Sequence, residues 1–449
     1  MGMTGIQIFQ LLPKTNCKEC GVPTCLAFAM NLAAGKAELS ECPYVSDEAK
    51  AKLAAESAPP IRTVAIGTGD GEFKIGGETA LFRHEKTFFN PTGLAMAVAD
   101  DEDDAAVAAK LERFNALSYD RVGLTLEGDA VAVRSKTGDK AKFGALAEKV
   151  KAETKGGIIL MADSPEVMAA GIEVCKDRRP LLYAATKDNA DGMAELAKEH
   201  KLPLAVRGED MESLAELTGK LKKQGLEDLV IDPGLRNIKQ ALEASIHIRE
   251  AAIQKKFEPF GFPTITPMFE MADDLEQETV YASLLLAKYA GLLVLSDFQG
   301  HSLFNLLLER LNIFTDPQRP MQTEQKIYEI NNPGPDAPVL ATSNFSLTYF
   351  IVSGEIENSR VPAYLAILDT EGLSVLTAWA AGKFVGDLLG EFINKSGIKD
   401  KLEKRNVIIP GTAAIIQGDL EEELGEDWKV HIGPREAAYI PGYLKQNFS

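Results

Sequence analysis

Positive charge is in short supply. The 449 residues carry 48 Lys and Arg against 66 Asp and Glu, a formal net charge of −18, with a sequence pI near 4.9. Tracking a nucleic-acid backbone requires clustered cations, so this balance argues against such a partner. No run of eighteen apolar residues occurs, and no membrane-spanning helix is expected. The opening "MGMTGIQIFQLLPKTNC" has neither a basic n-region nor a cleavage pattern. Cysteine is scarce at 5 residues, too few for a secreted disulfide framework. The expectation is a cytoplasmic, reduced protein. Histidine also numbers 5; His84, His200, His247, His301 and His431 are scattered and form no metal-binding pair. No internal repeat or low-complexity segment is visible. The remainder is ordinary globular composition, 45% hydrophobic and 25% charged. Its length calls for two or three domains.

Residues 1–57 stand apart in composition. "IQIFQLL" and "PTCLAFAMNLAAG" show helical periodicity, with Gly35 as a stop. "DEAKAKLAAESAPP" reads as a short helix running into a linker. From Ile61 to about Asn312, apolar strands alternate with helical patterns. The strand candidates are 63–68, 79–83, 121–127, 156–162, 180–186, 203–208, 228–234 and 291–297. Eight strands in a βα rhythm over this length predict a TIM (β/α)8 barrel. An open doubly wound sheet is the alternative, disfavoured because no Gly-rich fingerprint follows the first strand. The acidic run "ADDEDDAAVAA" suits a solvated helix start. A Pro-punctuated stretch over 314–342 marks a second boundary. Beyond it, "PVLATS", "RVPAYLAILDT" and "NVIIPGTAAII" are strand-like, and "SVLTAWAAGKFVGDLLGEFINKSG" reads as one strong helix. These make a smaller, mainly parallel α/β domain.

Four of the cysteines lie in the first tenth of the chain, at Cys17, Cys20, Cys25 and Cys42, the last followed by Pro43. Two close thiolates on a turn, a third a few residues on and a distant fourth suit a [4Fe–4S] cluster with one ligand per iron. Gly21 and Pro23 fit a turn that brings backbone N–H groups near the sulfurs. A structural zinc site is the first alternative, but it usually shows two C-x2-C pairs. Disulfides suit neither the compartment nor the Cys17–Cys20 spacing. Cys175, inside "VMAAGIEVC", reads as a buried core thiol.

The barrel shows no catalytic signature. Its strand ends offer Asp163, Arg207, Asp232 and Asp297, each equally a cap or loop residue. The C-terminal domain is more informative, because ligands of open α/β sheets sit outside the carboxyl ends of the strands. After "AYLAILD" comes a loop over 370–378, with Thr370, Gly372, Ser374 and Thr377 among apolar Leu373, Val375, Leu376 and Ala378. That mixture suits a large flat apolar ligand with polar edges. Thr342, Ser343 and Asn344 end one neighbouring strand; Gly411, Thr412, Ala413 and Ala414 follow another. In "HIGPREAAYIPGYL", a strand, a Gly-Pro turn and a helix start bring Gly433, Pro434, Arg435, Glu436 and Ala437 together, and the backbone N–H groups of this stretch can meet amide or phosphate oxygens.

Taken together, "NCKECGVPTCLAFA", Cys42-Pro43, "TEGLSVLTAWAAGKF", "IIPGTAAI" and "GPREA" resemble the large-subunit family of the corrinoid/iron–sulfur protein of the acetyl-CoA (Wood–Ljungdahl) pathway. The resemblance spans nearly the whole chain. It implies a small helical [4Fe–4S] domain at 1–57, a TIM barrel at 58–318 and a Rossmann-like corrinoid-binding domain at 319–449. The cube would fall to Cys17, Cys20, Cys25 and Cys42. The corrinoid contacts would include the three strand-end groups above, with Glu371 added to the 370–378 loop. The implied role is methyl carriage. The cobalt takes a methyl group from methyltetrahydrofolate through a separate methyltransferase and delivers it to the nickel site of acetyl-CoA synthase/CO dehydrogenase, while the cluster reactivates oxidised cobalt. No side chain of the chain itself would be catalytic. The implied partners are a small barrel subunit in a heterodimer, the methyltransferase, the synthase, and a reductive activator or ferredoxin. No histidine here sits in Asp-x-His-x-x-Gly, so a base-off cobamide such as 5-methoxybenzimidazolylcobamide is expected, with Ser374 and Thr377 near its lower face. The alternative is an iron–sulfur electron-transfer subunit whose C-terminal domain binds a flavin or nucleotide.

Overall fold

The computed structural model describes all residues except 1–4, 34–36, 38, 47–48, 50–58, 122–123, 317–319 and 449. The expected helix stop at Gly35, nearly all of the helix over 47–58, and the boundaries at 57/58 and 318/319 lie outside those residues. The chain divides into two compact units. The first holds residues 1–81, 89–107 and 129–297, the second 82–88, 108–128 and 298–449.

In the first unit, helices Gly5–Leu11 and Cys25–Ala33 pack around Ile8, Leu12, Phe28, Ala29 and Val45, together with Cys25 and Cys42. Eight parallel strands follow. They are β1 (Gly93–Ala99), β2 (Ala130–Arg134), β3 (Gly157–Met161), β4 (Leu181–Ala185), β5 (Leu204–Arg207), β6 (Leu229–Asp232), β7 (Ile265–Pro267) and β8 (Leu292–Leu295). From β1 to β6 each pairs with its neighbour in sequence, β7 pairs with β8, and β8 pairs with β1. A single bridge from Ile231 to Thr264, the residue before β7, nearly closes the ring. The expected barrel is therefore present. Its helices begin where the caps dictate: Asp139 accepts from the Ala141 and Lys142 amides, Ser164 from Val167, and Asp210 forms a capping box with Ser213.

Three of the expected strands are misplaced. Residues 63–68 do contain a strand, Val64–Ile66, but it pairs antiparallel with Phe73–Ile75 in a separate two-stranded sheet. Its Val64 and Ile66, with Ile75 and Phe73, plug the barrel interior. Residues 79–83 are not strand. Residues 121–127 belong to an antiparallel hairpin of the second unit, Ser118–Arg121 with Leu124–Glu127. The barrel uses β1, β2 and β7 instead. The interior is unusually small-chained, with Ala95, Ala97, Ala130, Ala132 and Ala205 inside, which leaves space for the Phe73 ring.

The second unit contains helix Gly300–Ile313 and a five-stranded sheet: β9 (Ile327–Ile330), β10 (Val339–Ser343), β11 (Ala363–Leu368), β12 (Asn406–Ile409) and β13 (Lys429–Ile432). Its order is β9-β11-β10-β12-β13. Only β9 runs antiparallel to its neighbour. Connections leave β10 for β11 on one side and return to β12 on the other, so the topological switch point lies between β10 and β12. The single helix expected over 374–397 is two, Val375–Ala380 and Gly386–Lys395. The break comes at Gly382, whose φ of 71° no helix continues. Val375 to Ala378 are thereby helix rather than loop. No helix among the described residues is long and apolar enough to cross a membrane.

Candidate cofactor sites

The cysteine segment is built from left-handed backbone. Lys14, Asn16 and Lys18 have φ of 58°, 51° and 68°, and Gly21 has 76°. Three non-glycine residues in that region within five positions is costly backbone, of the kind concentrated at functional sites. The Asn16 N–H points at Cys25 Sγ at 3.4 Å, while the Cys25 N–H donates to Asn16 Oδ1 at 2.8 Å. Thr24 Oγ1 accepts from the Ala27 N–H at 3.1 Å, which caps the following helix and puts Cys25 at its first turn. Cys25 and Cys42 are buried in one apolar cluster, and Cys20 packs against it. The Tyr44 hydroxyl donates to Glu19 at 2.8 Å. That bond and the Glu19 charge raise the Tyr44 pKa, with smaller contributions from Cys17 and Cys42, which therefore share one neighbourhood. No two of the five cysteines are joined in a disulfide. Among the described residues no three acidic, Cys or His side chains already form a closed cage. Cys175 lies elsewhere, fully buried, its thiol pushed up to about 11 by desolvation.

The C-terminal strand ends are organised by Asn344. Its Oδ1 accepts from the Thr370 N–H at 3.0 Å, the Thr370 hydroxyl at 2.9 Å and the Gly372 N–H at 2.9 Å. Its Nδ2 donates to Asp369 at 2.8 Å. The turn it holds has Glu371 and Gly372 at φ of 56° and 75°. A Cβ on Gly372 would lie 2.9 Å from the Pro320 carbonyl, so only glycine fits. Thr370 is fully buried, and its hydroxyl is shared between Asn344 Oδ1 and Leu373 O. Ser374 and Thr377 differ. Their hydroxyls stand 3.1 Å apart on the exposed side, at the start of helix Val375–Ala380.

The other predicted residues gather at the same carboxyl edge. Gly411 opens a short 3-10 segment, Gly411–Ile416, that also carries Ala413 and Ala414. The Gly411 N–H donates to Pro434 O at 3.0 Å, and the Gly433 N–H to Ile409 O at 2.9 Å. A Cβ on Gly411 would come within 2.5 Å of Gly433 O. The Gly433 N–H is thus committed to the sheet, and Pro434 has none. Within 433–437 only Arg435, Glu436 and Ala437 keep amides for another use. Thr342, Ser343 and Ser346 are buried with hydroxyls that meet no partner.

Sequence reasoning missed two features. Residues 320–325 brace the edge: Thr323 N–H donates to Asn344 O at 2.8 Å, and Gln325 Oε1 accepts from the Asp369 N–H at 2.8 Å. The second is an apolar rim. Leu376, Trp379, Ile415, Ile432 and Tyr439 follow or end β11, β12 and β13 and remain 40–71% exposed. Apolar side chains of that size are ordinarily covered. A solvent-facing pair of hydroxyls bonded to each other beside such a rim fits a broad apolar ligand with polar substituents.

Residues 63–444 match the family model described as CO dehydrogenase/acetyl-CoA synthase delta subunit, and residues 12–44, spanning Cys17 to Cys42, match one described as putative Fe-S cluster. The chain is 44% identical over 449 residues to the corrinoid/iron-sulfur protein large subunit of Moorella thermoacetica, covering 100% of both chains. It is 36% identical over 456 residues to the acetyl-CoA decarbonylase/synthase complex subunit gamma of Methanopyrus kandleri, covering 99% of this chain and 98% of that one. Among solved structures, a dihydropteroate synthase from Thermus thermophilus aligns with a TM-score of 0.40 at 12% identity, over 57% of this chain and 100% of that one.

Proposed function

The chain belongs to the family of the corrinoid/iron–sulfur protein large subunit and the CO dehydrogenase/acetyl-CoA synthase delta subunit, and on that premise we propose that it is a methyl-group carrier of the acetyl-CoA pathway. The observation that carries this reading is the carboxyl edge of the C-terminal sheet, where paired hydroxyls stand within an exposed apolar rim, in a chain that also brings four cysteines to one small module. Cys17, Cys20, Cys25 and Cys42 hold a [4Fe–4S] cluster in residues 1–57. Residues 319–449 hold a corrinoid, with 58–318 as the barrel between them in sequence. Bound there, the corrinoid supplies a cobalt that carries the methyl group from methyltetrahydrofolate to the synthase, and the cluster supplies the electron that restores the cobalt after oxidation.

The residues divide the work. Asn344, Thr370, Glu371 and Gly372 fix the turn. Ser374 and Thr377 form the polar floor, and Leu373, Val375 and Ala378 its apolar surround. Gly411, Ala413 and Ala414 allow close approach of the ring, as Thr342 does behind them. Arg435, Glu436 and Ala437 offer amides to its side chains, and Gly433 and Pro434 shape that turn. His431 Nε2 lies 2.9 Å from Asn406 Oδ1. The only histidine of this sheet is thus engaged in the sheet itself, which supports a base-off cobamide without a protein imidazole. The partners are a small subunit that covers the rim, the pterin-dependent methyltransferase, acetyl-CoA synthase/CO dehydrogenase, and a reductive activator or ferredoxin.

Anaerobic purification of the full chain with its small subunit tests the reading. The expected preparation contains about four irons and one cobalt per chain, with a corrinoid absorption band that changes on strong reduction. Fully folded protein with flavin and no cobalt would favour the electron-transfer alternative and overturn it.

A further inference from the structure

The top of the barrel is chemically unlike the rest of it. Below, the inward positions of β2, β5 and β6 are Ala130, Ala132, Ala205 and Val230. Strand alternation places Arg134, Arg207 and Asp232 next on the same inward faces, at the carboxyl ends. Tyr183 follows Leu181 inside β4. Arg236 answers most of the negative charge. It grips Asp232 through two bonds of 3.0 and 2.8 Å and reaches Glu270 at 2.5 Å. The Tyr183 hydroxyl donates to Asp232 at 2.6 Å and accepts from Arg236 at 3.2 Å. Burial, then the Asp232 charge, hold Tyr183 protonated.

Two further guanidiniums are answered less completely. Arg134 lies 3.6 Å above the Phe269 ring, and among the described residues no acceptor bonds to it. Arg207 is 3.8 Å from Asp163, whose side chain is 90% exposed. Arg207 also faces the Tyr183 hydroxyl, and Arg134 lies within electrostatic reach of Glu270, Asp101, Glu102 and, more weakly, Tyr183. The mouth thus carries three guanidiniums beside the carboxylates Asp163, Asp232 and Glu270, with Asp101 and Glu102 within electrostatic reach of Arg134, and of the three only Arg236 is held by carboxylates at hydrogen-bond distance. Desolvating a guanidinium without an acceptor is unfavourable, and its planar fork matches carboxylate and phosphate oxygens. We propose that the carboxyl mouth of the barrel binds a small oxyanion, the carboxylate or phosphate group of a soluble metabolite, between Arg134 and Arg207. This site is independent of the corrinoid reading, and neither stands or falls with the other.

Titration calorimetry on the full-length protein, at ionic strength matched with sodium chloride, tests it with inorganic phosphate and with citrate. Saturable binding of either probe is expected, and the stronger probe identifies the phosphoryl or carboxylate class. Arg134→Gln and Arg207→Gln should each weaken it about tenfold or more, with Arg207→Lys weakened less. Mass-spectrometric mapping of phenylglyoxal modification in the unsubstituted protein is the second measurement, and needs no variant to fold. Phosphate or citrate should slow modification of Arg134 and Arg207 but not of exposed Arg435. No saturable binding beyond the chloride control, affinity unchanged in both variants, or no selective protection would each overturn the proposal.

Discussion

Asn344 illustrates how much one buried amide can fix. Its side-chain oxygen serves three donors of the Thr370–Gly372 turn. Asn344→Ala orphans them in a buried setting and should cost about 2–3 kcal/mol, measured by denaturant unfolding, with loss of corrinoid retention beyond what Ser374→Ala causes. Cys175 makes the opposite point. Its raised pKa and full burial leave almost no thiolate at neutral pH, so iodoacetamide should label Cys17 and Cys20 in cluster-free native protein while Cys175 reacts only after unfolding. His431 supplies a pH prediction. Burial, then the Lys429 charge, lower its pKa below 6.5 in the folded state. The unfolded chain therefore takes up the proton first. This histidine's contribution is complete above about pH 6.5 and is lost as pH falls through that value toward the folded pKa. His431→Gln should flatten that part of the stability profile between about pH 7 and 5.

At the scale of elements, what was legible depended on how each strand is buried. β3, β4, β5, β6 and β8 are runs of Leu, Ile and Val between polar helices, and their composition alone announces them. β1, "GLAMAVA", is buried along its whole length, so it has no alternation, and its Ala and Met favour helix. β7 is three residues ending in Pro267, too short to carry a pattern. Residues 121–127 alternate well but do so in an outlying hairpin, because period 2 marks a strand without saying which sheet it joins. The site followed the same logic. The hydroxyl-rich 370–377 segment was legible from residue chemistry. The exposed rim was not, since Trp379 or Ile415 reads as core until the tertiary structure leaves it uncovered. One contact between elements lends itself to a direct stability test. Arg249, on helix Ile238–Ile253, bonds Glu78 at 2.9 Å with both side chains buried, and donates to the Leu81 carbonyl at 3.2 Å. Desolvation raises the Glu78 pKa against the pull of Arg249. Removing either partner should cost about 3–5 kcal/mol, because the other is left charged and buried. The double replacement Glu78→Gln with Arg249→Met should cost less than the sum of the two single changes in a double-mutant cycle.

At the scale of the whole molecule, the cysteine module and the proposed corrinoid edge occupy opposite ends of the sequence, and in the proposed function the cysteines serve the methyl chemistry rather than perform it. The acidic surface, −18 overall, keeps such a carrier soluble and biases it toward partners with complementary charge. In the proposed function this chain, with a corrinoid bound, is the body on which the methyl group travels. The direct measurement is transfer of radiolabelled methyl from methyltetrahydrofolate, catalysed by a separately purified methyltransferase, to the reduced full-length protein with its small subunit. About one protein-bound methyl per cobalt is expected, chased off by acetyl-CoA synthase. Protein that contains cobalt, is fully reduced and still acquires no label would contradict it.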